Sequence, residues 1–357
     1  MTTLPTSPVP PSAAATSPRA SSACSTLGVW CCALLWLLPA GCQTTPSSSG
    51  RDAGTTRIQP HLGTFVAITV HHPDTDAAHR AINAAFEEIR AVDKLLSIHR
   101  PDSELARLNQ LAPKQPVQAS PELFAILTRV LTLARESKGA FDPTIRPLAD
   151  LWGFIRKEGY RLPTPAERRA ILPNIGWDKV TLDPPRRLVR FANSGLSIDP
   201  GGFGKGYAVD RAIHRLQQLG IENAKVEAGG DLRVMGLPPG RGHWTIRLED
   251  PQKKGNRISI PLRSGAISTS GNYENFFMSG GKRYSHLLDP RTGLPVQGIA
   301  SCTVVAPTCL ETDALATACF ILGPESGLRL FKNRIGILWF TEERGKLSTM
   351  KSLNFPE

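Results

Sequence analysis

Asp313 and Thr317 lie four residues apart in Thr312-Asp313-Ala314-Leu315-Ala316-Thr317-Ala318. In a helix that spacing stacks a carboxylate and a hydroxyl on one face, one turn from each other. Two hard oxygens so placed suit Mg²⁺, which keeps one or two protein ligands and fills its octahedron with water and phosphate oxygens. A carboxylate near a helix start can equally serve as a cap. The second stretch with chemistry in it runs from Ser197 to Asp210. An apolar lead ends in Asp199, and Gly201, Gly202, Gly204 and Gly206 follow, with Lys205 between the last two. From Tyr207 a helical pattern places Val209, Ala212, Ile213 and Leu216 on one face, so the stretch is expected to be strand, turn and helix. Backbone N–H groups at the positive end of a helix, with a lysine beside them, would hold an anion such as phosphate. The Walker pattern fails because Gly206 stands where a hydroxyl belongs, and the dinucleotide pattern fails because Gly202-Phe203-Gly204 is followed three residues on by Tyr207. Taken alone, the loop serves a tight turn equally well.

Two further stretches carry polar groups in turn contexts. Tyr284-Ser285-His286-Leu287-Leu288-Asp289-Pro290-Arg291 reads as a strand that ends in a turn, with His286 on the face of Tyr284 and Leu288. A histidine at a strand end beside Ser, Asp and Arg is placed to act as a base, and a structural histidine fits the pattern as well. Phe141-Asp142-Pro143-Thr144 leads into Leu151-Trp152-Gly153-Phe154, a carboxylate in a turn before an aromatic cluster; packing around a proline turn explains it without chemistry.

The elements that must position these residues are legible from periodicity and caps. Thr64 to Val70 alternates as a strand, and Asp74 caps a long helix with Ala78, Ile82, Ala85, Phe86, Ile89, Val92 and Leu96 on its apolar face, ended by Pro101. A helical turn is expected over Ser103 to Asn109, and a full helix between Ser120-Pro121 and Gly139. Thr164 and Glu167 form a capping box, and Lys179–Leu182 with Leu188–Phe191 reads as a hairpin. Strands are expected over Ala224–Ala228, Trp244–Leu248, Ile258–Leu262, Asn275–Met278, Cys302–Val305 and Ile335–Phe340. A helix is expected near Thr312–Leu322, and a short one after Pro324. Strands that do not alternate strictly with helices imply α+β, with largely antiparallel sheets and flanking helices.

The chain has 357 residues, 41% hydrophobic, and a net charge of +11. That is enough apolar content for a sizeable core. In the first 26 residues the only charge is Arg19, and Leu27 to Leu38 is an apolar run too short to span a bilayer. It has the length of a signal-peptide core and ends in Leu38-Pro39-Ala40-Gly41-Cys42, which is similar to the bacterial lipoprotein cleavage box. Residues 1–41 are therefore expected to be a removed signal, Cys42 an acylated anchor, 42–56 a flexible tether, and 57–357 the folded domain. Removing the leader with its single Arg19 takes the charge to +10, which suits anionic lipid or an anionic ligand. Nucleic acid is not an expected partner of an exported chain without a basic run. Cys302, Cys309 and Cys319 remain in the mature chain with no metal spacing, and are expected to be buried thiols.

Taken together, Asp-Pro-Gly-Gly-Phe-Gly-Lys-Gly-Tyr-Ala-Val-Asp, Glu-Ala-Gly-Gly-Asp, Ser-Thr-Ser-Gly-Asn-Tyr, Tyr-Ser-His-Leu-Leu-Asp-Pro-Arg-Thr-Gly and Thr-Asp-Ala-Leu-Ala-Thr-Ala resemble the FAD:protein FMN transferases of the ApbE family. The family loop usually reads Leu-Gly-Gly-Ile-Ala-Lys-Gly after the aspartate, whereas this chain has Pro200 and Phe203-Gly204. The resemblance implies a T-fold-like core and an enzyme that uses Mg²⁺ to move FMN from FAD to a threonine hydroxyl of an acceptor protein, releasing AMP. It implies Asp313, Thr317 and the backbone carbonyl of Gly202 as metal ligands, and Lys205, Asp199 and the turn Ala140-Phe141-Asp142 as flavin nucleotide contacts. His286 would be the base. The acceptor would be a subunit of a membrane electron-transport complex, facing the periplasm or cell exterior with the enzyme. Two other functions fit the same residues: an FAD pyrophosphatase giving FMN and AMP, and a non-catalytic flavin-binding lipoprotein.

Overall fold

The computed structural model describes residues 54–155, 159–251, 257–343 and 345–357. The expected signal peptide, Cys42 and all but the end of the tether lie outside the described residues.

The first described element is β1 (Thr55–His61), whose first two residues fall in the expected tether and which turns through Leu62 and Gly63 at φ 54° and 70° into β2 (Thr64–His71). A two-residue turn with both φ positive has the twist that a hairpin needs. Helix α1 (Thr75–Leu96) takes its cap from Asp74, whose carboxylate accepts from the N–H groups of Asp76 and Ala77, and it buries all seven expected apolar residues. It stops at Leu96, before Pro101 is reached. Then come α2 (Glu104–Leu111), β3 (Val117–Gln118) and α3 (Pro121–Glu136), which starts at Ser120-Pro121 as expected. Where a bare turn was expected after Asp142, the chain forms α4 (Arg146–Trp152), closed by Gly153 in the left-handed region. Helix α5 (Pro165–Ile171) opens with the Thr164–Glu167 capping box, and β4 (Val180–Asp183) pairs with β5 (Leu188–Phe191) as a hairpin.

The second half contributes α6 (Gly204–Gln218), β6 (Asn223–Ala228), β7 (Asp231–Met235), the hairpin β8 (Trp244–Glu249) and β9 (Arg257–Leu262), and β10 (Gly265–Gly271). A second hairpin, β11 (Phe276–Ser279) with β12 (Lys282–Ser285), precedes the short pair β13 (Leu288–Asp289) and β14 (Leu294–Pro295). Last are β15 (Ile299–Ala306), α7 (Cys309–Phe331), β16 (Gly336–Glu343) and β17 (Lys346–Lys351). Helix α7 is two helices joined at a kink, with Gly323 at φ 71° before Pro324, which matches the two helices expected there.

Eight strands make one sheet in the order β1-β2-β6-β7-β10-β15-β16-β17, every neighbouring pair antiparallel. The fold class expected from the strand and helix pattern is thus the one found. Val66, Ile68, Val226, Val304 and Trp339 point from one face into a core shared with Phe86 and Ile89 of α1, Leu127 of α3, Ile213 of α6 and Phe320 of α7. On the other face, Trp244, Ile246, Ile260 and Leu262 of the β8–β9 hairpin cover Leu232, Val234, Ile267 and Phe340. Burial of so many large side chains, at about 1.5–3 kcal/mol each, is what fixes α6 and α7 side by side on the sheet. The three cysteines are buried free thiols.

Candidate active site

The glycine-rich loop is held by side chains where strand pairing was expected. Leu196 to Pro200 belongs to no strand; Asn109 of α2 instead accepts from the Ile198 N–H at 2.9 Å and donates to the Ile198 carbonyl at 2.9 Å. One amide side chain thereby imitates a neighbouring strand. The Asp199 N–H then donates to the Pro143 carbonyl at 2.7 Å, tying the loop to the Ala140–Pro143 turn. The Asp199 carboxylate accepts from the Gly201 N–H at 2.7 Å, closing an Asx turn. Burial raises its pKa, and that hydrogen bond opposes the rise. The helix starts at Gly204, three residues before the apolar periodicity shows it.

Helix α7 starts at Cys309, so Asp313 sits a full turn inside and is no cap. The cap comes from α6: the Asp210 carboxylate accepts from the N–H groups of Cys309 and Leu310, both at 2.9 Å, and Arg233 donates to it at 2.7 Å. That frees Asp313 and Thr317 to share one face with Ile321. The Asp313 carboxylate accepts from the Gly206 N–H at 3.0 Å and lies 3.5 Å from Lys205 Nζ. Its pKa is pushed up to about 7, mainly by burial and then by Asp231, against the pull of Lys205 and the Gly206 N–H. Burial works to lower the Lys205 pKa, but the carboxylates of Asp231, at 2.9 Å, and Asp313 outweigh it and hold the ammonium charged.

Asp142 is a strut of its turn as well as part of the cavity lining. Its carboxylate accepts from the Thr144 N–H at 2.9 Å, the Thr144 hydroxyl at 2.7 Å and the Trp177 N–H at 2.9 Å, while burial raises its pKa. His286 lies just beyond β12, because the strand expected through Leu288 ends at Ser285. Its backbone N–H and its ring Nδ1 both reach the Asn275 carbonyl, at 2.9 and 3.1 Å. A carbonyl only accepts, so Nδ1 carries the hydrogen and Nε2 holds the lone pair of the neutral ring. Asp289 and Arg291, expected beside the histidine, pair with each other at 2.8 Å, and neither lines the cavity.

These elements enclose a cavity of about 260 Å³. The nine residues given a metal, nucleotide or base role in the sequence all line it: Ala140, Phe141, Asp142, Asp199, Gly202, Lys205, His286, Asp313 and Thr317. Ile98, Ile145, Phe154 and Leu287 give it an apolar wall. Asp231 and Ser270, which stand in the quoted motifs without a role of their own, also line it, as do Glu274 and Asn275, which sequence reasoning passed over. The signal for Asp231 was the Gly229-Gly230 pair before it: with φ 56° and 97° they make the two-residue turn between β6 and β7 and set Asp231 opposite Ala228.

A model of the ApbE family matches residues 62–339, most of the chain. This chain belongs to the ApbE family. The FAD:protein FMN transferase of Haemophilus influenzae is 33% identical over 305 residues, covering 82% of this chain and 85% of the relative; that of Escherichia coli K12 is 30% identical over 301, covering 82% and 86%. Among solved structures, the ApbE protein of Thermotoga maritima superposes with a TM-score of 0.77 at 32% identity, covering 84% of this chain and 97% of the other. The apo flavinyl transferase ApbE of Pseudomonas stutzeri gives 0.77 at 31%, covering 85% and 96%.

The departure of this chain from the usual ApbE loop falls on the core side. Phe203 is fully buried, and a Cβ added to Gly204 would meet the Pro200 Cβ at 3.2 Å, a tight approach. Gly201, Gly202 and Lys205 keep the cavity side. There the donor set suits a hard divalent cation. Asp313 offers a buried carboxylate and Thr317 a hydroxyl, and a Cβ on Gly202 would stand 3.7 Å from the Thr317 Oγ1, so that loop backbone is within reach. Among the described residues no cluster of three or more His, Cys, Asp or Glu could hold a metal, which leaves hydroxyl and backbone oxygens to complete this set.

Proposed function

We propose that this chain transfers FMN from FAD to a threonine hydroxyl of an acceptor protein, with Mg²⁺ bound by Asp313, Thr317 and the Gly202 carbonyl, and releases AMP. The observation that carries this reading is that Lys205, Asp313, Thr317 and His286, from three separate stretches of sequence, line one cavity. When bound, the cation neutralises charge on the diphosphate as it is cleaved. Lys205 adds a second positive charge on the loop side, and the apolar wall of Ile98, Ile145 and Phe154 suits a flat ring system. His286, with Nδ1 held by the Asn275 carbonyl, takes the hydroxyl proton on Nε2. A threonine hydroxyl needs that help because it is a weak nucleophile.

The apolar run Leu27–Leu38 and the cysteine that follows at 42 support export and lipid anchoring, which would keep the enzyme beside membrane-bound acceptors such as electron-transport subunits. The test is to incubate the protein with FAD, Mg²⁺ and a threonine-containing acceptor domain and to look for flavin covalently attached to the acceptor. Free FMN and AMP without attached flavin would make the chain a pyrophosphatase, and FAD bound but intact would make it a carrier.

A further inference from the structure

Lys205 stands between two buried carboxylates and is nearer the one that the proposed metal does not use. Its Nζ is 2.9 Å from Asp231 Oδ2 and 3.5 Å from Asp313 Oδ2. The carboxylate side chains are 5% and 7% exposed, against 28% for the lysine. A lysine side chain has a flexible four-carbon stem, and left to itself its ammonium would close on the nearest anion. Asp231 opens β7 directly after the tight Gly229-Gly230 turn, where a Cβ on Gly229 would sit 2.7 Å from the Thr64 Oγ1. The side chains of Asp231 and Asp313 thus approach one ammonium from different elements, β7 and α7.

We infer that Asp231 is a positioning residue that draws the Lys205 ammonium off Asp313, leaving the Asp313 carboxylate available to a divalent cation and the lysine aimed at the nucleotide phosphates. This rests on the proposed metal site. The ionised cluster of two carboxylates and one ammonium carries a single negative charge. Removing the Asp231 charge would neutralise it and let Lys205 close on Asp313 as a tethered competitor of the metal. Removing Lys205 as well would restore both the charge and the vacancy on Asp313.

The test is Mg²⁺ binding to the full chain without FAD, measured by isothermal titration calorimetry on wild type, Asp231→Asn, Lys205→Met and the double variant. Asp231→Asn should bind Mg²⁺ at least about a hundredfold more weakly, the scale of losing a unit charge a few ångströms away at an effective dielectric constant near 20. Lys205→Met should bind at least as tightly as wild type, and the double variant should recover wild-type affinity. A double variant as weak as Asp231→Asn would overturn the inference, since Asp231 would then act as a ligand or a fold residue without going through the lysine. Unchanged affinity in Asp231→Asn overturns it too and leaves the metal site standing, whereas a wild type that binds no Mg²⁺ removes both. Thermal melting checks each variant for folding; if Asp231→Asn does not fold, Lys205→Met decides alone, and weaker Mg²⁺ binding there sinks the idea.

Discussion

The Gly206 N–H donates to the Asp313 carboxylate at 3.0 Å, which joins the first turn of α6 to the face of α7 that lines the cavity. The approach requires glycine: a Cβ there would stand 2.3 Å from the Cys309 carbonyl oxygen and 2.9 Å from the Asp313 Cβ. Backbone cannot yield as a side-chain tip can. Gly206→Ala should therefore push the helices apart at a cost of about 1–3 kcal/mol, as overpacking usually does. Denaturant unfolding should show it as a lower midpoint. Wild-type stability in the alanine variant would mean that the two helices are less tightly apposed than this contact requires.

Asp313→Ala should abolish Mg²⁺-dependent turnover while most of the FAD affinity, which comes from the rest of the cavity, is kept. A carboxylate on a metal that neutralises transition-state charge is worth several kcal/mol, so the rate should fall by about a thousandfold or more. Flavin transfer against Mg²⁺ concentration, with FAD affinity measured by fluorescence, checks both halves. A variant that turned over at the wild-type rate with the same Mg²⁺ dependence would remove Asp313 from the metal site.

Much of this site could be read before any coordinates, and what could not be read has a common cause. The i, i+4 pair Asp313 and Thr317, the helix caps at Asp74, Ser120 and Thr164, and the α+β class are local signals, and each survives in the structure. Signals that need a distant partner were misread. Ile198 and Asp199 have a strand's composition, but their partners are the Asn109 side chain and the Pro143 carbonyl, far off in sequence. His286 was given Asp289 as a neighbour by proximity in the chain, whereas the group that orients it is the Asn275 carbonyl across a hairpin. Asp231 was given no role of its own because the lysine that gives it meaning lies 26 residues earlier. Edge strand β17 escaped because its residues are mostly exposed and carry little apolar alternation.

Protonation of Asp313 sets a pH dependence for the cation. With its pKa pushed up to about 7 by burial and by Asp231, the metal-free carboxyl is largely protonated at pH 6 and largely ionised at pH 8. A cation binds the ionised form, so lowering the pH makes protons compete and affinity falls; raising it above about 8 brings no further gain. Below the pKa the loss approaches about tenfold per pH unit, the mass-action limit for one proton displaced. Calorimetric Mg²⁺ affinities between pH 5.5 and 8.5 test this, and a flat profile across that range would place the bound cation away from Asp313.

Cys42→Ser should release the protein from membranes without harming the enzyme. The described fold begins at β1, thirteen residues after the cysteine, and the described core is built from Val66 onward. Cell fractionation should find the variant soluble, with flavin transfer to a soluble acceptor domain unchanged. Mass spectrometry of the native protein offers the direct check: an unmodified Cys42 in the mature chain would count against the anchor.

His286 carries the most specific chemical role and the simplest substitution. Asparagine in its place keeps an N–H able to reach the Asn275 carbonyl, now at 3.1 Å from Nδ1, but supplies no lone-pair nitrogen to accept a proton. General-base assistance is worth about a hundred- to ten-thousandfold, so His286→Asn should slow transfer to the acceptor threonine by that order. FAD and Mg²⁺ affinities should stay close to wild type, because the ring contributes one wall of a cavity that many other side chains line. The measurement must separate the two: single-turnover transfer with saturating FAD for the chemical step, and equilibrium titration for affinity. Parallel loss of rate and FAD affinity would make His286 a binding residue. A rate within a few fold of wild type would leave the metal alone to activate the hydroxyl.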